Sequence, residues 1–152
     1  MNDNLKIIFL VALALMVMQG IGGFFQIKGY RKAIHRMHKY GSLGIGQKRG
    51  RFFNGYIVII ACDRDHVITA CEIMDGATIL ARFHPKEKLL GETLKGQTVE
   101  GLLDMLRGLD EKQQKRQHGY IQALEALEMR FNKESEEGES ETEAVESSAA
   151  EN

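Results

Sequence analysis

Apolar positions fall into three kinds of pattern along this chain. The first is continuous: Ile7 to Ile27 reads IIFLVALALMVMQGIGGFFQI, 21 positions without a charge. An α-helix of about 20 residues crosses a hydrocarbon core roughly 30 Å thick, so a single transmembrane helix is predicted. The second pattern recurs at spacings of three and four. Ile27, Tyr30, Ile34, Met37 and Tyr40 follow it with cations between them, which predicts a basic amphipathic helix running on from the span and ended by Gly41-Ser42. Leu102, Leu103, Leu106 and Leu109 give the apolar face of a short helix opened by Thr98-Val99-Glu100-Gly101. Gly101 and Gly108 weaken it. Ile121, Leu124, Leu127 and Phe131 give the face of a longer helix, from about Asp110 to Asn132.

The third pattern consists of short runs enriched in β-branched residues. YIVIIAC (Tyr56–Cys62) predicts a buried strand, followed by a turn at Asp63-Arg64-Asp65-His66. VITACEIM (Val67–Met74) predicts a second strand and TILARF (Thr78–Phe83) a third, stopped by Pro85 and joined through the hairpin signal Asp75-Gly76. Alternation puts Ile79, Ala81 and Phe83 on the core face of the third strand and leaves Arg82 outside. The predicted fold is α+β: an N-terminal transmembrane helix, a small three-stranded antiparallel β-meander, C-terminal helices and a disordered acidic tail. Its divisions are an anchor over 5–27, a basic helix over 28–41, a β domain over 42–100, a helical extension over 101–133 and a tail over 134–152. The glycine-rich stretch from Gly41 to Lys48 reads as a flexible elbow between membrane helix and sheet.

Charge sharpens this picture because it is segregated. The formal net charge is only −1. Yet eight Lys or Arg lie between Lys28 and Arg51, and no acidic residue separates Asp3 from Asp63. The last nineteen residues, from Glu134, hold eight Glu and no Lys or Arg; nothing there builds a core, hence the disordered tail. Lys6 alone is cationic before the apolar run, whereas Lys28, Arg31, Lys32, Arg36 and Lys39 follow it closely. The positive-inside rule then leaves the N-terminus outside and the remainder in the cytoplasm. A cleaved signal peptide fits less well: the run is long, no A-x-A-like site follows, and the charge lies on the wrong side. The five cations are expected to contact anionic headgroups, each contributing on the order of 1 kcal/mol. Gly20, Gly22 and Gly23 permit close helix–helix approach, so a homo-oligomer is compatible with the span. Roughly 100 residues remain outside anchor and tail, a size that gains from membrane, oligomer or partner contacts.

Candidate chemistry changes little. The glycine-rich stretch lacks an adjacent Gly-Lys-Ser/Thr and precedes a strand instead of following one, so it is no phosphate loop. His35 and His38 share a helix face without a nearby Cys or carboxylate, and His66, His84 and His118 are scattered, so no metal site is expected. Asp63 and Asp65 suit a turn better than a catalytic pair. Cys62 and Cys71 read as reduced, buried, small apolar residues of a cytoplasmic domain. No nucleophile–base arrangement stands out; neither an enzyme nor a cofactor is expected. The basic segment has the charge to meet DNA phosphates, but it shows no helix-turn-helix and adjoins an apolar span whose lipids would compete. Direct DNA binding is disfavoured.

The order of these pieces nevertheless resembles a known family. An N-terminal hydrophobic helix and a basic helix precede Gly44-x-Gly46 and Gly50-Arg51-Phe52. A strand ending at Asp63, a second strand, Gly76, the Ala81-Arg82 of ATILARF, and then Gly91 and Leu94 follow. Over roughly residues 5 to 100 this resembles the glucitol (sorbitol) operon activator family. The resemblance implies a positive transcriptional regulator of a polyol phosphotransferase operon. It carries over Gly44, Gly46, Gly50, Arg51, Phe52, Gly76, Ala81 and Arg82 as motif positions without assigning them roles. With no DNA-reading motif, action through protein contacts is expected, the partner being a soluble transcription regulator or a phosphotransferase transporter component. Two other readings stand beside it: an accessory or structural subunit of a membrane sugar transporter, and a lipid-binding scaffold.

Overall fold

The computed structural model describes the backbone of residues 3–50, 55–76 and 81–149, and the side chains of these apart from 22, 23, 25, 26 and those beyond 135. Helix α1 (Asp3–Met37) and a 3-10 turn (His38–Tyr40) lead into strand β1 (Ser42–Lys48). Strands β2 (Tyr56–Cys62), β3 (Ile68–Asp75) and β4 (His84–Pro85) follow, then a hairpin of β5 (Lys88–Leu89) and β6 (Glu92–Thr93). Helices α2 (Val99–Arg107), α3 (Glu111–Arg116) and α4 (His118–Ala149) complete the chain. The main sheet is antiparallel throughout, in the order β1-β2-β3-β4.

The α+β class and the antiparallel meander agree with the sequence pattern, and β2 has the predicted bounds. Two strands differ. The stretch read as a flexible elbow is β1, paired with β2 from Ser42↔Cys62 to Lys48↔Tyr56. The third predicted strand falls partly outside the described residues, since 77–80 are not described. Ala81–Phe83 are not strand, and pairing with β3 comes one step later, at Glu72↔Pro85 and Ile73↔His84. Pro85 is tolerated there because β4 is an edge strand. Ala81 and Phe83 are half-buried and Arg82 is exposed, as the alternation predicted.

The turn joining β2 to β3 is built as its residues suggest. The Asp63 carboxylate accepts hydrogen bonds from the backbone N–H groups of Asp65 and Val67, at 3.0 and 2.9 Å. A bulge between Ala61 and Cys62 leaves Thr69 unpaired. The Thr69 hydroxyl lies 2.7 Å from the carbonyl of Tyr40, tying the end of the 3-10 turn to the sheet.

Each face of the sheet carries its own apolar cluster. On one, Val58, Ile60, Cys62, Ile68, Cys71 and Ile73 pack against Leu102, Leu103 and Leu106 of α2 and Ala123, Leu124, Leu127 and Phe131 of α4. On the other, Ile59 and Ala61 meet Ala33 and Met37 of α1, flanked by Ile34, Leu43, Ile45 and Phe83. Burial of each large aliphatic side chain is worth about 1.5–3 kcal/mol, so the first, larger cluster dominates stability. Helices α2 and α4 therefore share a core with the strands.

The helices hold a further correction. The single helix predicted over Asp110–Asn132 is broken at Gln117, where α3 ends and α4 begins. α3 buries nothing, while α4 must seat Gly119 against the sheet, and one straight helix does not satisfy both. The Thr98 side chain caps α2, accepting from the N–H of Gly101 at 3.1 Å. Helix α4 continues as backbone through the acidic segment to Ala149. Its last buried residue among those described is Phe131, in keeping with a Glu-rich segment that supplies no core.

Candidate functional site

The motif positions separate by what their backbone touches. Gly44 and Gly46 lie on the α4 face of β1 and are buried. A Cβ built on Gly44 would stand 2.1 Å from the carbonyl oxygen of Ala123, and one on Gly46 only 1.8 Å from that of Gly119. α4 thus rests on the bare backbone of β1. Gly119 answers from the other side, where a Cβ would come within 2.6 Å of the Tyr56 ring. The phenolic oxygen of Tyr56 accepts from the N–H of Gly119 at 3.2 Å and donates to the carbonyl of Arg116 at 3.0 Å. Side chains elsewhere in β1 keep the period of two, with Leu43 and Ile45 turned to the α1 face. The G-x-G spacing is therefore a packing device joining helix to strand.

Gly76 follows β3 with φ 103°, a conformation that favours glycine. Gly50 is exposed beside Gly55 at the other end of the β1–β2 connection. Arg51 and Phe52 lie outside the described residues. Ala81 is half-buried and Arg82 exposed. Of the described motif residues Gly46 alone lines the open cleft formed with Tyr30, Ile45, Gln47, Ile57 and Gln122.

The basic helix shows a different division of labour. Its periodic face is turned to the sheet: Ala33 and Met37 are buried, and Tyr30 and Ile34 half-buried, whereas Ile27 and Tyr40 are 58% and 51% exposed. The expected face is thus shifted by one position toward Ala33 and serves the protein's own core. Tyr30 also packs its ring against Phe83 at 6.0 Å. Of the five expected membrane-surface cations, Lys28, Arg31, Lys32 and Lys39 are exposed. Arg36 instead makes a two-pronged ion pair with Glu72 of β3, Nε donating to Oε1 at 2.8 Å and Nη2 to Oε2 at 2.5 Å. Glu72 is the one buried charged residue among those described, 7% exposed. Its hydrogen bond raises the guanidinium's pKa further, against a smaller opposing effect of desolvation. Sequence periodicity could not find this pair, because Glu72 sits in a strand 36 residues away with nothing local to mark its partner.

The two thiols are unreactive. Burial pushes the Cys62 thiol up to about 11 and the Cys71 thiol to about 12, so neither is a nucleophile at neutral pH. Both are free. No group of three His, Cys, Asp or Glu with metal-binding geometry occurs among the described residues.

What the described residues offer is surface and a helix. The window Asp3–Ile21 has a mean hydropathy of 2.0 with none of it buried, long and apolar enough for a membrane span or a signal sequence. Against known proteins, the chain matches the model of one family, described as "Glucitol operon activator protein (GutM)", over residues 7–115. That match takes in the apolar helix, the whole sheet, α2 and nearly all of α3. No curated protein and no solved structure matches.

Proposed function

The chain belongs to the glucitol operon activator family, and from that premise we propose that it is a membrane-anchored regulator that raises transcription of a polyol phosphotransferase operon through protein contacts. The family is one of activator proteins and not of enzymes, and membership is the observation that carries the reading. Supporting the anchor is the bare apolar half of α1, with cations on its C-terminal side that favour a cytoplasmic domain. Supporting action through a partner is the use made of the helices. α2 and α4 spend their apolar faces on the sheet, and α1 spends its own on the sheet's other side. The partner is a soluble transcription regulator acting as a repressor, which the chain withdraws from the operon and holds at the membrane near the transporter when the sugar arrives.

Gene deletion and affinity capture test this together. Loss of transporter transcript in the deletion strain, with a soluble regulator captured on tagged full-length protein from solubilised membranes, is the expected result. Normal transcript with impaired uptake, and capture of transporter subunits alone, would make the chain an accessory subunit instead. A specific gel shift of operator DNA by the full-length protein in micelles, at physiological salt, would replace the protein-contact mechanism with direct DNA reading.

A further inference from the structure

Helix α1 is uninterrupted from Asp3 to Met37, so the apolar half and the sheet-packed half share one axis. Only Lys28 and Gly29 separate Ile27, the last residue of the apolar run, from Tyr30, which already lies beside Ile45, Gln47 and Ile57. Those residues add only about 3–5 Å of helix. The domain therefore stands directly against whatever surface the apolar half enters.

Chain directions decide which end of the domain that is. Tyr30 lies beside Ile57 near the start of β2, whereas Met37 shares a cluster with Ala61 and the Tyr40 carbonyl meets Thr69 near its end. α1 runs alongside β2 in the same sense and opposite to β1. Followed back toward its N-terminus, α1 leaves the domain where β1 finishes, at Lys48 and Arg49. α3 and α4 bring Arg116 and His118 to the same end, through the Tyr56 hydroxyl on the Arg116 carbonyl and Gly119 against Gln47.

An open cleft of about 780 Å³ occupies this end, lined in part by Lys48, Arg49, Lys115 and His118. Its two carboxylates already have cations: Glu111 pairs with Lys115 at 2.6 Å and Glu125 with Arg107 at 3.0 Å. Lys48 and Arg49 enter no ion pair among the described residues. The cleft thus has positive charge to spare, level with the point where the helix axis leaves the domain. Arg36 and Lys39 lie about 13 and 18 Å along the axis from Ile27, farther from that level, and Arg36 is engaged by Glu72.

We propose that this cleft and its rim, with Lys48, Arg49 and Arg116 as the charged contacts, dock the domain onto anionic lipid headgroups. The proposal rests on the anchoring part of the reading above, not on the regulatory part. Docking fixes the domain's orientation, with the opposite end, at the Asp63–His66 turn, facing away from the bilayer.

The test reconstitutes the full-length protein in nanodiscs of neutral lipid and of neutral lipid mixed with phosphatidylglycerol, and follows amide hydrogen exchange. Expected is slower exchange, by about threefold or more, from Gln47 to Gly50 and across α3 in the anionic discs only. That protection disappears in the double variant K48E/R49E, whose thermal unfolding in neutral discs matches the parent. Equal exchange in both disc types overturns the proposal, as does protection in neutral discs on adding inorganic phosphate, which would make the cleft a site for a soluble anion. Failure of the protein to enter discs at all would overturn the anchor itself, a result distinguishable from either.

Discussion

The two halves of α1 have nearly the same appetite for helix and opposite surroundings. From Asp3 to Ile21 nothing is buried; from Tyr30 to Met37 one face is sealed against the sheet. A glycine in the first half has nothing near it: around Gly20 no atom lies within 4 Å of a built Cβ. Across the sheet from the second half, Gly44 and Gly46 have helix backbone inside 2.2 Å of theirs. Glycine in a helix that meets solvent or lipid is a tolerance, whereas glycine in a strand beneath a helix is a requirement. The same residue type thus says opposite things on the two sides of Tyr30.

Gly46→Val breaks this comparison hardest. Its side chain would have to displace the backbone of α4 at Gly119, and the helix carries Leu124 and Leu127 into the main core. Overpacking ordinarily costs about 1–3 kcal/mol; a clash with backbone, which cannot change rotamer, belongs at or above the top of that range. Denaturant unfolding of the full-length protein in micelles should show a lowered midpoint, or no cooperative transition at all. An unchanged midpoint would mean that α4 does not rest on β1.

The buried thiols sharpen the contrast through pH, because the packed half of the molecule holds both of them with raised pKa values. An unfolded chain releases thiol protons near pH 8.5. The folded protein keeps those of Cys62 to about 11 and of Cys71 to about 12. The native state thus binds more protons than the unfolded state between those limits. Stability from this source is complete below pH 8.5 or so and falls as pH rises through 9 to 12, by about 2–3 kcal/mol per thiol at pH 11. Cys71→Ala should fall less steeply than the parent over that range. Identical slopes would mean that Cys71 is not protected by burial.

The Arg36–Glu72 pair is the joint between the halves and carries the next effect. Arg36→Gln leaves Glu72 buried with its partner charge gone. Breaking a fully buried pair costs about 3–5 kcal/mol, but the Arg36 side chain is 43% exposed. Solvent screening reduces the expectation to about 1–2 kcal/mol. Arg36→Gln combined with Glu72→Gln should recover part of the loss, and a double-mutant cycle in denaturant reads the difference. Purely additive losses would show that the two side chains do not couple.

How much of this was legible follows from the range of each interaction. β2 and the leucine faces of α2 and α4 could be read because their periods of two and 3.6 are local. The turn at Asp63 could be read for the same reason. β1 could not, because Leu43 and Ile45 alone alternate in it, and the face it turns to the main core is the bare backbone of Gly44 and Gly46, a pattern that reads equally as a flexible loop. The break at Gln117 was hidden likewise, since it answers Tyr56 and Gln47 far away in sequence. The apolar stripe of the basic helix could be read as a stripe, but periodicity gives only a face, and the fold says that the sheet covers it. Gly44 and Gly46 were found by resemblance, and their close approach to α4 gives them a physical reason.

The mildest change tests the comparison from its quiet side. Gly29 lies at the boundary between the halves of α1, exposed, and a Cβ there meets nothing within 4 Å. Its backbone is helical, so Gly29→Ala adds no clash and removes the freedom that an interior helix glycine must surrender, a gain of about 0.5–1 kcal/mol. Expected is a small rise in the unfolding midpoint, with the exchange of amides from Lys28 to Met37 slowed. If this substitution instead destabilises the protein, α1 bends at Gly29 in solution. The shared axis, and with it the membrane-proximal placement of Lys48 and Arg49, would then fail together.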